Sequence, residues 1–388
     1  MADPLAPLRA ALMSDPAIQR HLAQHVDRAA FVAALGDWAQ ARGIIVDAAA
    51  LAVAVAPDPL GLDRHAAAPH GGRDWPPEAW LPAHVAPDGS VQWLHFAGTP
   101  LDAPFYEETV RRVGSRPFAR LMRYGTPLAD FVAGAPEGGI VPAGLIFHMS
   151  RCGSTLAAQM LAAVPGHVVA SEPAPLDAIV QLPFAGYPLT AHDHAMALRA
   201  MAAALGRQAR AAGGRFFIKL DAWHALALPL FRLAFPGVPF AFLYRDPVEV
   251  LVSLTRMPGL HSLPGALPPA LFGIPPEAAV HGVDFAARTI GAICAAAASD
   301  PALLLIDYGE LPQAVGTRLL PHFGIVLDPA GAEAMASASR RDAKTPNMDF
   351  TPDREAKQQE AGAELRAAAS MHIAPHWRCL AQRRAGQG

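Results

Sequence analysis

Lysine is nearly missing from this chain: Lys219, Lys344 and Lys357 are the only three, and arginine carries almost all the positive charge. The net charge is −3 with no run of basic residues. That argues against recognition of nucleic acid or of an anionic membrane surface through bulk charge. Cysteine is equally scarce. Cys152, Cys294 and Cys379 lie far apart with no C-x-x-C pair, so no disulfide framework is expected and a reducing cytoplasm is the expected compartment. Long apolar runs are absent as well. The stretch 43–57 is interrupted by Asp47 and is too short to cross a bilayer. The first residues lack the basic start and apolar core of a secretory signal. His65, His70, His84 and His95 show no ligand spacing, and His25-Val26-Asp27 offers two ligands without a third, so no metal is expected.

What the chain does have is length and apolar surface. Its 388 residues suffice for two domains, and 52% of them are apolar, much of that alanine, which favours helix but buries little area per residue. Residues 1–139 read as an N-terminal extension without an assignable role: helices over 5–13 and 18–42, a loop over 63–82, a strand over 91–96, helices over 105–113 and 117–133, and a Gly/Pro linker at 134–139. From residue 140 to 388 strands and helices alternate. Strands are expected at 167–170, 215–220, 239–244 and 303–306, after a first strand formed by Leu145, Ile146, Phe147 and Met149. The expected fold class is α/β, a central parallel sheet with helices on both faces.

The first strand runs into Ser150-Arg151-Cys152-Gly153-Ser154-Thr155, and an Ala/Leu-rich helix then continues to about residue 163. A strand, a tight small-residue turn and a helix N-terminus make an anion site. The first helical amides lack partners, the helix dipole favours negative charge, and Gly153 lets backbone approach closely. Arg151 adds a cation that can fork onto two oxygens. The nucleotide loop G-x-x-x-x-G-K-[ST] fits poorly, because no lysine separates Gly153 from Ser154 and the cation precedes the glycine.

That order resembles the phosphosulfate loop of sulfotransferases, written PRSGTTL or RSGST in tyrosylprotein and Golgi-type members. A second resemblance follows at 239–254, PFAFLYRDPVEVLVSL, which is similar to the 3′-phosphate motif of the same family: an apolar strand, R-[DN]-P, and a serine eight residues after the arginine. Here these are Arg245 and Ser253. Asp246 is a good N-cap, Pro247 suits the first helical position, and Glu249 stands at capping-box spacing. Tyr308, Glu310, Leu311, Phe323, Gly324 and Ile325 resemble the late Y-E-x-L … F-L-G-I segment. Arg340, Arg341 and Lys344 fall where members often carry a basic loop that closes over the nucleotide.

The resemblance implies transfer of a sulfuryl group from 3′-phosphoadenosine 5′-phosphosulfate to an acceptor hydroxyl or amine, with no metal required. It implies donor binding by Arg151, Cys152, Gly153, Ser154, Thr155, Arg245, Ser253, Arg341 and Lys344. Glu172, 21 residues after Arg151, falls where tyrosylprotein sulfotransferases place a catalytic glutamate. Cytosolic members use the histidine of K-T-H; this chain has Lys219-Leu220-Asp221 there, so Lys219 keeps the cation and Asp221 replaces the histidine. The base for the acceptor proton therefore has three candidates, Glu172, Asp221 and His224. Two other classes remain in view. An apolar strand ending in Asp307 resembles the Walker B segment of an ATP-dependent small-molecule kinase, and the unexplained first 139 residues leave room for a non-catalytic nucleotide-binding scaffold. The acceptor class, whether small molecule, sugar, lipid or peptide, is open, as is monomer against dimer. The segment 258–276, rich in Pro and Gly, is expected to cover the acceptor.

Overall fold

The computed structural model describes residues 3–62, 66–275, 281–341 and 354–387. The chain forms two compact units, Met1–Val141 with Pro173–Gly214, and Pro142–Glu172 with Arg215–Gly388. The first crossing lies between Val141 and Pro142. The second was not expected: after Glu172 the chain returns to the first unit and rejoins the second at Arg215. The apolar faces of the helices Ala174–Gln181 and Ala191–Leu205 cause this. They bury Leu176, Ile179, Leu198, Met201 and Leu205 within the first unit.

In the first unit the helix expected over 18–42 is two helices, Pro16–Leu22 and Arg28–Gln40. Asp27 ends the link between them, and its carboxylate accepts from the Ala30 amide at 2.8 Å, a capping role. The loop expected over 63–82 contains strand β1 (His70–Gly71) and the start of β2 (Trp80–Val85). Trp80 is buried and its indole N–H donates to Gln19 Oε1 at 2.9 Å. Strand β3 (Val91–His95) is as expected. The helix expected over 117–133 is instead Pro117–Leu121, strand β4 (Tyr124–Thr126) and Leu128–Ala133. Gly125 and Pro127 are poor helix residues, and their neighbours pair with β3. The four strands pair in the order β1-β4-β3-β2.

The second unit is built on five parallel strands: β5 (Gly144–His148), β6 (His167–Ser171), β7 (Arg215–Lys219), β8 (Phe240–Tyr244) and β9 (Leu304–Asp307), in the order β6-β7-β5-β8-β9. Helices lie on both faces, so β5 and β8 are buried throughout and read as continuous apolar runs. Phe147 packs against Phe231 and Phe240, both at 5.3 Å between ring centroids. Gly144 is required because the Phe323 ring covers it: a Cβ there would stand 2.5 Å from a ring carbon. The chain leaves β5 toward β6 on one side and later returns to β8 on the other. The carboxyl end of β5 is therefore the topological switch point, where such sheets bind ligands. Register brings the strand ends together, pairing Ile146 and Ser171 each with Lys219, and His148 with Leu243. Among the described residues no helix is long and apolar enough to cross a membrane.

Candidate active site

The turn after β5 is held in an unusual backbone state. Ser150 has φ 75°, Arg151 51° and Gly153 81°, so two non-glycine residues sit in the left-handed region. Each costs about 1–2 kcal/mol and persists only where its surroundings enforce it. The enforcement is visible. The Ser150 amide donates to His148 Nδ1 at 3.0 Å, and the buried Cys152 thiol donates to the Leu243 carbonyl at 3.1 Å. Burial pushes that thiol up to about 11, so it is a packed thiol and no nucleophile. The helix Ser154–Ala162 starts directly after Gly153. Among the described residues the amides of Gly153 and Thr155 and the hydroxyls of Ser154 and Thr155 donate to no protein acceptor. Arg151 donates through Nη2 to the Met257 carbonyl. Burial lowers its pKa while Glu172 opposes that, and it remains a cation.

Beside this turn Lys219, Glu172 and His148 form a connected group. Glu172 follows β6 with φ 49°, and its amide donates to the Lys219 carbonyl at 2.7 Å. Its Oε1 pairs with Lys219 Nζ and lies 3.4 Å from His148 Nε2. Burial alone would raise the Glu172 carboxyl, but Lys219 and His148 outweigh it and hold the group well below the usual carboxylate range. Among the described residues Oε2 accepts no hydrogen bond, and the side chain is 25% exposed. His148 is fixed from both ends. Because Nδ1 accepts from Ser150, the ring proton is on Nε2, which donates to the Leu220 carbonyl at 2.8 Å. Burial lowers its pKa, so the ring is neutral and serves to hold the turn.

Arg245 leaves β8 on the other side of the turn. Asp246 caps the helix Pro247–Arg256 as expected, accepting from Val248 and Glu249 amides at 2.9 and 3.2 Å. Glu249, however, does not complete a capping box. Its Oε2 accepts from Arg245 Nε at 2.6 Å, and its Oε1 lies 3.1 Å from Arg354 Nε. A buried guanidinium four residues earlier is a stronger partner than a cap amide. Arg245 also lies 3.9 Å from the Tyr308 ring centroid and directs Nη1 at the Arg151 carbonyl, 3.5 Å away. Ser253 is buried and its hydroxyl donates to the Glu249 carbonyl at 2.9 Å, leaving its lone pairs. Arg151, Lys219, Arg245 and Arg354 against Glu172, Asp246 and Glu249 leave these named groups net positive.

The late segment closes on the same turn. A Cβ on Gly153 would stand 2.6 Å from Leu311 Cδ1 and 3.0 Å from the Tyr308 ring. Asp307 caps the next turn, accepting from the Gly309 amide at 2.8 Å, while Glu310 accepts from the Asp307 amide at 2.8 Å. Strand β9 is separated from β5 by β8. Asp221 and His224 form a capping box at the start of the 3-10 helix Ala222–Ala227. Both are buried, His224 completely. Arg341 is exposed at the end of the helix Pro329–Ala338, and Lys344 lies outside the described residues. One residue at the site went unnoticed in the sequence: His261, buried in the 3-10 turn Leu260–Ser262 within electrostatic reach of His148, Glu172 and Arg151. Its neighbours in sequence, Pro258, Gly259 and Pro264, carry no periodic signal.

No protein-family model matches the chain, and no curated protein matches it. Solved structures to which it is similar include three sulfotransferases. The sulfotransferase STF1 of Mycobacterium tuberculosis H37Rv is 15% identical, with 60% of this chain and 80% of that one covered and a TM-score of 0.33. The sulfotransferase domain of the Synechococcus PCC 7002 olefin synthase is 17% identical, with coverage of 64% and 96% and a TM-score of 0.35. The sulfotransferase STF9 of Mycobacterium avium is 13% identical, with coverage of 68% and 86% and a TM-score of 0.35. At this level of likeness the chemistry has to come from the residues themselves.

Proposed function

We propose that the chain transfers a sulfuryl group from 3′-phosphoadenosine 5′-phosphosulfate to an acceptor hydroxyl or amine. The observation that carries this reading is the turn Ser150–Thr155. It has left-handed backbone at the switch point of a parallel sheet, unpartnered amides and hydroxyls, and cations on both sides. The residues fit the donor's two anionic ends. Arg151 with the Gly153 and Thr155 amides takes the 5′ end, and Arg245 with Ser253 takes the 3′-phosphate. Glu249 and the Arg151 carbonyl already take guanidinium donors of Arg245, and a phosphate must share that cation with them.

In the reaction the acceptor oxygen or nitrogen bonds to sulfur. The bond from sulfur to the 5′-phosphate oxygen breaks, and its electron pair leaves with 3′-phosphoadenosine 5′-phosphate. Arg151 and Lys219 stabilise charge growing on the transferring group and on the leaving oxygen. The acceptor's proton goes to Glu172 Oε2. Of the three groups named from the sequence, Asp221 and His224 are engaged in a helix cap, whereas Glu172 keeps an oxygen without a protein partner. Arg341 and Lys344 remain part of the proposal as donor contacts from the basic segment.

The kinase alternative draws no support from Asp307, which is committed to a cap two strands from the turn. The test is turnover of the phosphosulfate with a pooled set of phenols, alcohols, amines and sugars in excess EDTA. Formation of 3′-phosphoadenosine 5′-phosphate that requires acceptor and survives EDTA is expected. Magnesium-dependent ATP consumption without it would favour a kinase.

A further inference from the structure

The turn after β5 has a counterpart in the first unit. Strand β3 also ends in a histidine, His95, whose Nδ1 accepts from the amide two residues on, Ala97, at 3.1 Å. His148 and Ser150 make the same bond after β5. In both turns the donating residue is left-handed: Ala97 has φ 52°, and Gly98 follows with φ 71°. Burial takes the His95 pKa down to about 4, with Arg20 and Arg116 repelling the charged form, so the ring is neutral and its Nδ1 can accept. Gln208 Nε2 fixes the turn from outside, donating to the Thr99 carbonyl at 2.8 Å. Among the described residues the Gly98 amide and the Thr99 hydroxyl donate to no protein acceptor.

No helix starts at this turn, and the positive charge comes from arginine instead. Arg112, in the helix Tyr106–Gly114, and Arg116, just after it, line an open cleft of about 400 Å³ together with Gln24 and the turn itself. That volume falls in the range of small-molecule sites, roughly 300–1,000 Å³, and exceeds what a lone ion fills. Burial and the nearness of Arg112 lower the Arg116 pKa, yet the guanidinium stays charged. Arg116 donates to the Ala23 carbonyl at 3.3 Å, and among the described residues no carboxylate pairs with it. Arg112 pairs with Asp102 at 2.9 Å, but both side chains are about half exposed, and such a pair contributes little. Two guanidinium groups held close together without a matching acid favour an anion beside them. The Gln24 side-chain amide also lacks a protein partner among the described residues.

We propose that this cleft binds a small organic molecule by a tetrahedral oxyanion, the phosphate or sulfate group of an ester. Arg112 and Arg116 fork onto its oxygens, and the Gly98 amide, the Thr99 hydroxyl and the Gln24 amide take the remaining lone pairs. These donors come from three separate stretches of chain. A tetrahedral group presents oxygens in enough directions to meet all three, and the two oxygens of a planar carboxylate do not. A ligand here is independent of what the second unit catalyses.

The test uses the full-length protein carrying Arg245→Ala, which removes the arginine from the proposed donor site, and compares it with the same protein carrying Arg116→Gln or Gln24→Leu in addition. Thermal melting checks that each variant folds; Gln24 is exposed, so its replacement spares the core. Phenyl phosphate, phenyl sulfate and benzoate are titrated by calorimetry at low salt. At least one of the two esters should bind, about tenfold or more tighter than benzoate, and the tighter of the two tells a phosphate site from a sulfate site. Arg116→Gln should weaken ester binding about 10- to 100-fold and Gln24→Leu about 3- to 10-fold. Binding of neither ester, benzoate binding as tightly as the esters, or ester affinity unchanged in Arg116→Gln would overturn the proposal. Should Arg116→Gln fail to fold, unchanged ester affinity in Gln24→Leu would overturn it equally.

Discussion

The guanidinium of Arg245 lies 3.9 Å from the centroid of the Tyr308 ring, and the same ring covers Gly153. One aromatic side chain thus links the cation at the end of β8 to the turn after β5. Moving either would disturb both ends of the proposed donor site. This is the physical reason for a tyrosine directly after β9.

Gly153→Ala tests that link. The new Cβ would meet Leu311 and the Tyr308 ring, and at φ 81° the backbone itself resists a side chain. The variant should lose about 2–3 kcal/mol of stability. Its affinity for 3′-phosphoadenosine 5′-phosphate should fall by about 100-fold, since the amides that face the anion would shift. Urea unfolding and titration calorimetry check the two effects separately.

Lys219→Met removes the counter-charge of Glu172. The carboxylate is held well below its ordinary value of 4.5, so the pair contributes stability above that pH. The contribution is lost as the pH falls through 4.5 toward the lower native value. The variant should be less stable than the wild type at pH 7 by about 2–3 kcal/mol, with the gap closing on acidification. Turnover should fall about 10²- to 10³-fold through loss of the cation at the leaving oxygen. Unchanged turnover would contradict the role given to Lys219.

His261 gives a second pH signature with its own window. The groups facing it are His148, Glu172 and Arg151, and its native pKa of about 4 lies below the ordinary 6.5. Between those values the unfolded chain binds the proton and the native one does not. Stability therefore falls as the pH drops from 6.5 to about 4 and levels off below. His261→Gln should show a shallower decline over that window, by up to about 3 kcal/mol across it. Parallel stability curves for the two proteins would contradict the neutral, enclosed imidazole.

Glu249→Gln leaves the buried Arg245 without its carboxylate. A loss of about 3 kcal/mol in the free protein is expected. The bisphosphate should then raise the melting temperature more in the variant than in the wild type, because it restores an anion to Arg245. An equal or smaller shift would mean that the phosphate does not reach this cation.

Much of this site is local in sequence, and that part was legible. The strand Leu145–Ile146–Phe147, the small-residue turn and the helix behind it follow from adjacent residues. So does the cap at Asp246 and Pro247, and each element stands where expected. The partner of Glu249 was not legible, because two interactions compete at the same spacing. An acid at the third helical position suits a capping box, and the same acid four residues after a buried arginine suits an ion pair. Only the burial of Arg245, set by Tyr308 some sixty residues later in the chain, decides between them. Gly125 and Pro127 break the helix between 117 and 133 although the apolar periodicity runs past them. The return of residues 173–214 to the first unit depends on long-range packing that no window of sequence contains. His261 sits in irregular backbone, where spacing carries no information about burial.

Titration calorimetry with 3′-phosphoadenosine 5′-phosphate, run beside ATP with magnesium, on the wild type and Arg245→Ala, tests the central claim most directly. The account predicts metal-independent binding of the bisphosphate, weakened about 10- to 100-fold in the variant by loss of a charge-assisted phosphate contact. Binding of magnesium ATP without binding of the bisphosphate, or bisphosphate affinity indifferent to Arg245, would contradict it.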